Sequence, residues 1–125
     1  MNLYEIASVS LRKGLEGDTL RQAQQDPEIG QYIDDPTQYD TIMVGDTPVG
    51  TISVRGDYVK SVFVSPQHRG QGVGERAIDA ALQGSGSAHV DITNKASVQM
   101  FTKLGFKPVG EPTKDGDALV QEYRR

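Results

Sequence analysis

The stretch VFVSPQHRGQGVGERA, Val62 to Ala77, restricts the fold more than any other part of the chain. It begins as an apolar run suited to a strand and then places glycines at alternate positions, Gly70, Gly72 and Gly74. After them the period changes. Gly74, Ala77, Ile78, Ala81 and Leu82 share one helical face over 73–83, with Glu75, Arg76, Asp79 and Gln83 on the other, and GSGS ends the segment. A strand, a glycine loop and a helix start bring free N–H groups and the positive end of a helix dipole to one spot. Glycines let an anion approach that main chain closely. The stretch therefore predicts an anion-binding turn.

The flanking sequence says what the turn is built into. Three strand-like runs, 39–44, 48–54 and 58–64, are separated by GDT and RGD, connections that suit hairpins and an antiparallel meander. Residues 3–9 read as a first strand, and 18–33 as helix broken at Asp26-Pro27, since proline disfavours helix at the residue before it. Downstream, 88–93 alternates as a strand, and Asn94 is placed to cap a helix running to Leu104. Gly105 in the left-handed conformation, with Phe106 folding back, stops that helix. Strand signals return at 106–109 and 117–123. This order predicts one α+β domain over residues 1–125, on a mixed sheet.

Composition narrows the function. A net charge of −4 argues against a nucleic-acid grip, which needs clustered Lys and Arg. No apolar run approaches the ~18 residues of a membrane span, and the N-terminus lacks the layout of a secretory signal, so a cytoplasmic protein without a membrane partner is expected. With no cysteine there is no disulfide, thiolate nucleophile or Cys-based metal site, and His68 and His89 stand too far apart for metal-ligand spacing; no metal is expected. The charge is uneven: residues 1–60 are net −5 and 61–125 net +1, with acid gathered around Asp26, Glu28, Asp34, Asp35 and Asp40. That cluster is either a solvated face or a lure for a cation.

Two users of a glycine loop fail here. A Walker loop needs Gly-Lys-Ser/Thr, but Gly74 is followed by Glu75 and Arg76; a dinucleotide fingerprint needs glycine at Glu75 and a βαβ setting. A third fits. Arg69-Gly70-Gln71-Gly72-Val73-Gly74, read as R-x-x-G-x-G after Val62 to Pro66, resembles the acetyl-CoA-binding motif of the GNAT superfamily of N-acetyltransferases. Asn94, Ser97, Met100, Phe101 and Lys103-Leu104-Gly105-Phe106 match that family's helix segment at the family's distance downstream.

The resemblance implies a mixed, mostly antiparallel central sheet with helices on both faces, and acetyl-CoA as cosubstrate. By it, backbone groups of Val62 and Val64 pair with the pantetheine arm, and the Val62 or Phe63 N–H polarises the acetyl carbonyl. Amides from Arg69 to Gly74, Gly70, Gln71, Gly72 and Val73 included, wrap the pyrophosphate; His68, Arg69 and Arg76 add positive charge, and Asn94 reaches the arm. The reaction is direct attack of a primary amine on the thioester, the acceptor a cationic amine drawn to the acidic half. Exposed last strands in this architecture are compatible with a homodimer.

The chain departs from the pattern at the proton-transfer groups. Phe101 stands where the family's tyrosine protonates the leaving thiolate, which leaves water or one of Tyr32, Tyr39 and Tyr58 as donor. The strand YVKSVFV has no carboxylate. Asp91 is the candidate base, with Asp57 behind it and His89, on the same strand face, as the alternative. These departures keep a second reading open: a GNAT-like acyl-CoA-binding module acting through a protein partner.

Overall fold

The computed structural model describes residues 8–14, 19–27 and 35–125. Strands β1 (Val9–Arg12), β2 (Asp40–Val44), β3 (Thr47–Arg55), β4 (Tyr58–Val64), β5 (Ser87–Asp91), β6 (Lys107–Asp115) and β7 (Ala118–Arg124) form one sheet in the order β1-β2-β3-β4-β5-β7-β6. All pairings are antiparallel except β4 with β5. Helix α1 (Thr19–Gln25) precedes the meander, α2 (Val73–Leu82) follows the glycine loop, and α3 (Lys95–Lys103) follows β5.

Of the expected first strand, residues 3–7 lie outside the described residues, and the strand found there is Val9–Arg12. Helix α1 stops at Gln25, ahead of the Asp26-Pro27 break; 28–33 of the expected helix lie outside the described residues. Two strand ends needed correction. β5 stops at Asp91 because the Asp91 side chain accepts hydrogen bonds from Thr93 N and Oγ1, closing a turn where alternation extended the strand to 93. β6 runs to Asp115, not 109, passing Gly110 and Pro112 through a bulge. Gln121 on β7 fills that bulge, its Nε2 donating to the carbonyls of Val109, Gly110 and Glu122.

The core lies between the sheet and α2 with α3. Ile52, Val59, Ala88 and Val90 meet Val73, Ala77, Ile78 and Phe101 there, all buried. On the opposite face, toward α1, the central strands carry Thr41, Thr51, Ser53 and Ser61, also buried. Gly50 is obligatory: a Cβ there would stand 2.0 Å from the Phe63 carbonyl oxygen, so any side chain would push β3 off β4.

Candidate active site

The site starts with an extra residue. Across β3 and β4 the pairing Ser53 with Ser61 gives way to Val54 with Val59, so Lys60 has no opposite number and forms a bulge. Cross-strand partners share a face. The bulge therefore puts Tyr58, Ser61 and Phe63 on one face of β4 and Val59, Val62 and Val64 on the other. It also bends the strand. Parallel pairing with β5 consists of Tyr58 with Ser87 and Val59 with Ala88, and beyond the bulge β4 leaves its neighbour.

Backbone polarity in that gap follows from one bond. Ser65 N donates to Val49 O at 2.8 Å, which makes Val64 and Gly50 a pair without mutual hydrogen bonds. Alternation then turns the N–H and C=O of Val62 and Val64 away from β3, toward the gap, and those of Phe63 toward Thr51. Of the two amides expected to polarise a carbonyl, Val62 is the one that faces the gap. The Val64 carbonyl accepts Arg69 Nε at 2.7 Å.

The glycines divide their work. Gly70 (φ 76°) and Gly72 (φ 77°) hold left-handed conformations, Gly72 at the N-cap of α2, where it leaves the first-turn amides without a side-chain cap. Among the described residues, a Cβ on Gly70 would meet nothing within 4 Å, and one on Gly72 only Glu75 Oε2 at 4.0 Å, so none of them closes off the loop. Gly74 instead allows close packing, since a Cβ there would lie 2.9 Å from Met100 Sδ. Arg69 braces the loop: besides Val64 O, its guanidinium reaches Asp26 Oδ2 at 3.2 Å and lies over the Phe63 ring, 5.4 Å from the centroid. Its charge, expected at the phosphate, is directed to Asp26. His68 is half-buried in the 3-10 turn Pro66–His68, and Arg76 is exposed on α2.

A cleft of about 400 Å³ opens at the gap, walled by β4 from Tyr58 to Val62, by His89 to Asp91, by Asn94, Ser97, Met100 and Phe101, and by Asp115 and Val120. Asn94 caps α3, its Oδ1 accepting Ser97 N at 3.2 Å, while also lining the cleft. Phe101 packs edge-on against Phe106 with centroids 5.0 Å apart. Asp91 is at the rim, but Thr93 N and Oγ1 hold its Oδ1 at 2.9 and 2.7 Å, and these bonds put its pKa below the ordinary carboxylate value. Asp91, the candidate base, thus also serves as a turn cap, its Oδ1 engaged by Thr93. The D-x-T spacing, a mark of such turns, was the signal for this.

Of the alternative proton donors, Tyr39 is 1% exposed in the core, Tyr32 lies outside the described residues, and Tyr58 lines the cleft. Tyr58 Oη is hydrogen-bonded to His89 Nδ1 at 3.1 Å. Burial first, then the Asp115 charge, raise the Tyr58 pKa, with Arg55 opposing them. Acids of the N-terminal half have local work: Asp26 holds Arg69, Asp35 accepts from Thr37 N and Oγ1, and Asp40 accepts Gly14 N–H; Glu28 and Asp34 lie outside the described residues. Among the described residues, no three His, Asp or Glu side chains group to hold a metal, and no helix is long and apolar enough to cross a membrane.

Residues 2–106 match the acetyltransferase (GNAT) family. The chain belongs to that family. Among curated GNAT relatives, the peptidyl-lysine N-acetyltransferases YjaB of Salmonella typhimurium and Escherichia coli are each 32% identical over 72 residues, 56% of this chain. The chain spans about half the length of these relatives, 50% and 49%. In fold it resembles the solution structure of apo YjaB from E. coli, with TM-score 0.69, 19% identity, and 94% of this chain and 97% of that one covered. RimL, a ribosomal L7/L12 α-N-protein acetyltransferase in complex with coenzyme A, matches with TM-score 0.69 at 14% identity over 94% and 93% of the two chains. The Arabidopsis thaliana Naa50 complex with a CoA-peptide bisubstrate analogue gives 0.67 at 19% over 94% and 98%.

Proposed function

We propose that the protein transfers an acetyl group from acetyl-CoA to a primary amine by direct attack. One observation carries this reading: the cleft opens where β4 leaves β5, with the Val62 amide turned toward it, and its wall residues Val62 and Met100 lie against Gly74 at the end of the glycine loop. Amides around Gly70 to Val73 and the start of α2 suit a pyrophosphate, and the apolar wall of Val62 and Met100, with Asn94 and Ser97, suits the arm. A fixed amide aimed at a developing oxyanion lowers the barrier by roughly 2.7 to 4 kcal/mol. The neutral amine adds to the carbonyl carbon, the C–S bond breaks, the nitrogen gives up one proton to solvent, and coenzyme A leaves as a thiolate that takes a proton from solvent.

A cationic acceptor, such as a lysine side chain, is supported by Asp91 and Asp115 on the cleft wall and by the names of the YjaB relatives. The second reading, an acyl-CoA-binding module, is favoured by Phe101, which gives the cleft no hydroxyl where the leaving thiolate is expected to take its proton. Calorimetric titration with acetyl-CoA, followed by thiol release across a panel of amines, tests both. The enzyme binds acetyl-CoA with micromolar affinity and releases thiol only with an amine present, and Gly72→Glu abolishes binding while the protein remains folded by circular dichroism. Binding without turnover leaves the module; no binding removes both.

A further inference from the structure

We propose that Lys60 is an acceptor of the chain's own acetyl transfer, its Nζ taking the acetyl group within the same molecule. The inference rests on acetyl-CoA binding in the cleft, the first part of the reading above, and goes beyond it by naming a modification site.

The chain has six lysines, and one of them is placed for this. Lys13, Lys95, Lys103, Lys107 and Lys114 are exposed, whereas Lys60 is half-buried and lines the cleft. Its place in the sheet explains the difference. Lys60 is the bulged residue, without an opposite number on β3, and the pairing of β4 with β5 ends one residue before it, at Val59. Of the described residues of β4 it alone lacks a ladder partner on both sides, and it stands where the gap begins. Two residues further on, the Val62 N–H turns toward that gap. Along a strand two residues cover roughly 6.5 Å, a span within reach of the flexible four-carbon stem of a lysine. None of the ion pairs among the described residues engages Lys60, so no carboxylate holds its amine away from the cleft.

A thioester carbonyl held at the Val62 amide is the electrophile. The neutral Lys60 Nζ adds to its carbon, a C–N bond forms and the C–S bond breaks. The nitrogen gives up one proton to solvent and the departing thiolate takes one from solvent, so the products are Nε-acetyl-Lys60 and coenzyme A. No further reactant is needed. Because both groups are held in one cleft the step is unimolecular, and effective molarities of well-oriented groups reach ~10⁵ to 10⁸ M. Exposed lysines meet acetyl-CoA only by collision. The modification also changes the site. It replaces an ammonium by a neutral amide, which takes away the positive charge that shares the cleft wall with Asp91 and Asp115.

The test is to incubate the full chain with isotope-labelled acetyl-CoA, without any added amine, and to follow the label on each lysine by peptide-mapping mass spectrometry. Lys60 should take label at least about tenfold faster than any exposed lysine, at a rate per molecule that does not change with protein concentration. Gly72→Glu should lose the label on Lys60 and keep the slow labelling of the exposed lysines. A second readout needs no turnover. Coenzyme A, which carries no acetyl group, is added before a lysine-methylating reagent and should shield Lys60 more than any other lysine. Label on Lys60 no faster than on the exposed lysines or undiminished in Gly72→Glu, a per-molecule rate that rises with protein concentration, or no shielding by coenzyme A would overturn the proposal alone, with acetyl-CoA binding still measured by calorimetry. A wild type that does not bind acetyl-CoA overturns the acetyl-transfer reading and the proposal with it.

Discussion

At the scale of single residues, what a carboxylate or amide does depends on which of its atoms are already engaged. Asp91 is the instructive case, because strand alternation correctly puts it on the face of His89 and toward the cleft. Position alone does not make it a base. Its Oδ1 is held by Thr93, which stabilises the ionised form, and its pKa is lowered. A folded-state pKa below the unfolded value means stabilisation present above the unfolded value and lost as pH falls through the folded one. Asp91→Asn keeps the acceptor oxygen and removes the charge. It should keep kcat within a few-fold of wild type, and it should be slightly less stable than wild type at neutral pH. The stability difference should close in acid below pH ~4, since the ordinary aspartate pKa is about 3.9. Denaturant midpoints measured along this range check the stability, and thiol release checks the rate. A loss of 10²-fold or more would return Asp91 to the role of base.

At the scale of elements, β4 shows where legibility ended. Its limits, 58–64, and the helix and glycine loop after it were readable from β-branching, alternation and the change of period. The Lys60 bulge was not. Bulges often announce themselves with glycine, whereas Lys60 sits in an unbroken run, YVKSVFV, and only the mismatch with β3 reveals the extra residue. Plain alternation back from Phe63 and Ser61 would put Tyr58 on the face of Lys60 and Val62 and leave it away from Ser61. Likewise the departure of β4 from β5 depends on partners distant in sequence, and the β6 bulge on a glutamine contributed by β7. These tertiary origins have a measurable consequence. In amide hydrogen exchange, Ser61 and Phe63, bonded across to β3, should be protected, while Val62 and Val64, turned toward the gap, should exchange faster. Adding acetyl-CoA should slow Val62 and Val64 selectively. Equal protection of all four without ligand would mean that the alternation inferred from the Ser65 bond is wrong.

At the scale of the molecule, the question is whether the two parts of the sheet, β1 to β4 and β5 to β7, behave as one unit when they share so short a seam. Hydrogen bonds say little either way. Those missing beyond Val59 would each contribute only ~0.5 to 1.5 kcal/mol in net terms. Side-chain burial decides it. Val59, Ala88, Val90, Phe101 and Phe106 belong to the same buried cluster as Ile42 and Ile52, so the core continues across the seam. Each large apolar side chain buried there is worth about 1.5–3 kcal/mol, and opening the seam would expose several together. The chain should therefore melt in a single transition in differential scanning calorimetry, with calorimetric and van't Hoff enthalpies equal. A ligand that binds only the folded state at a hundredfold excess over its Kd adds ~2.7 kcal/mol. With unfolding entropy near 2.1 cal/mol/K per residue, that moves Tm by about 10 °C for a chain of 125 residues. Acetyl-CoA should produce that shift without splitting the transition, and Gly72→Glu should show none. Two transitions, with only one of them moved by acetyl-CoA, would show that the seam outweighs the shared core and that the cleft opens between independently unfolding halves.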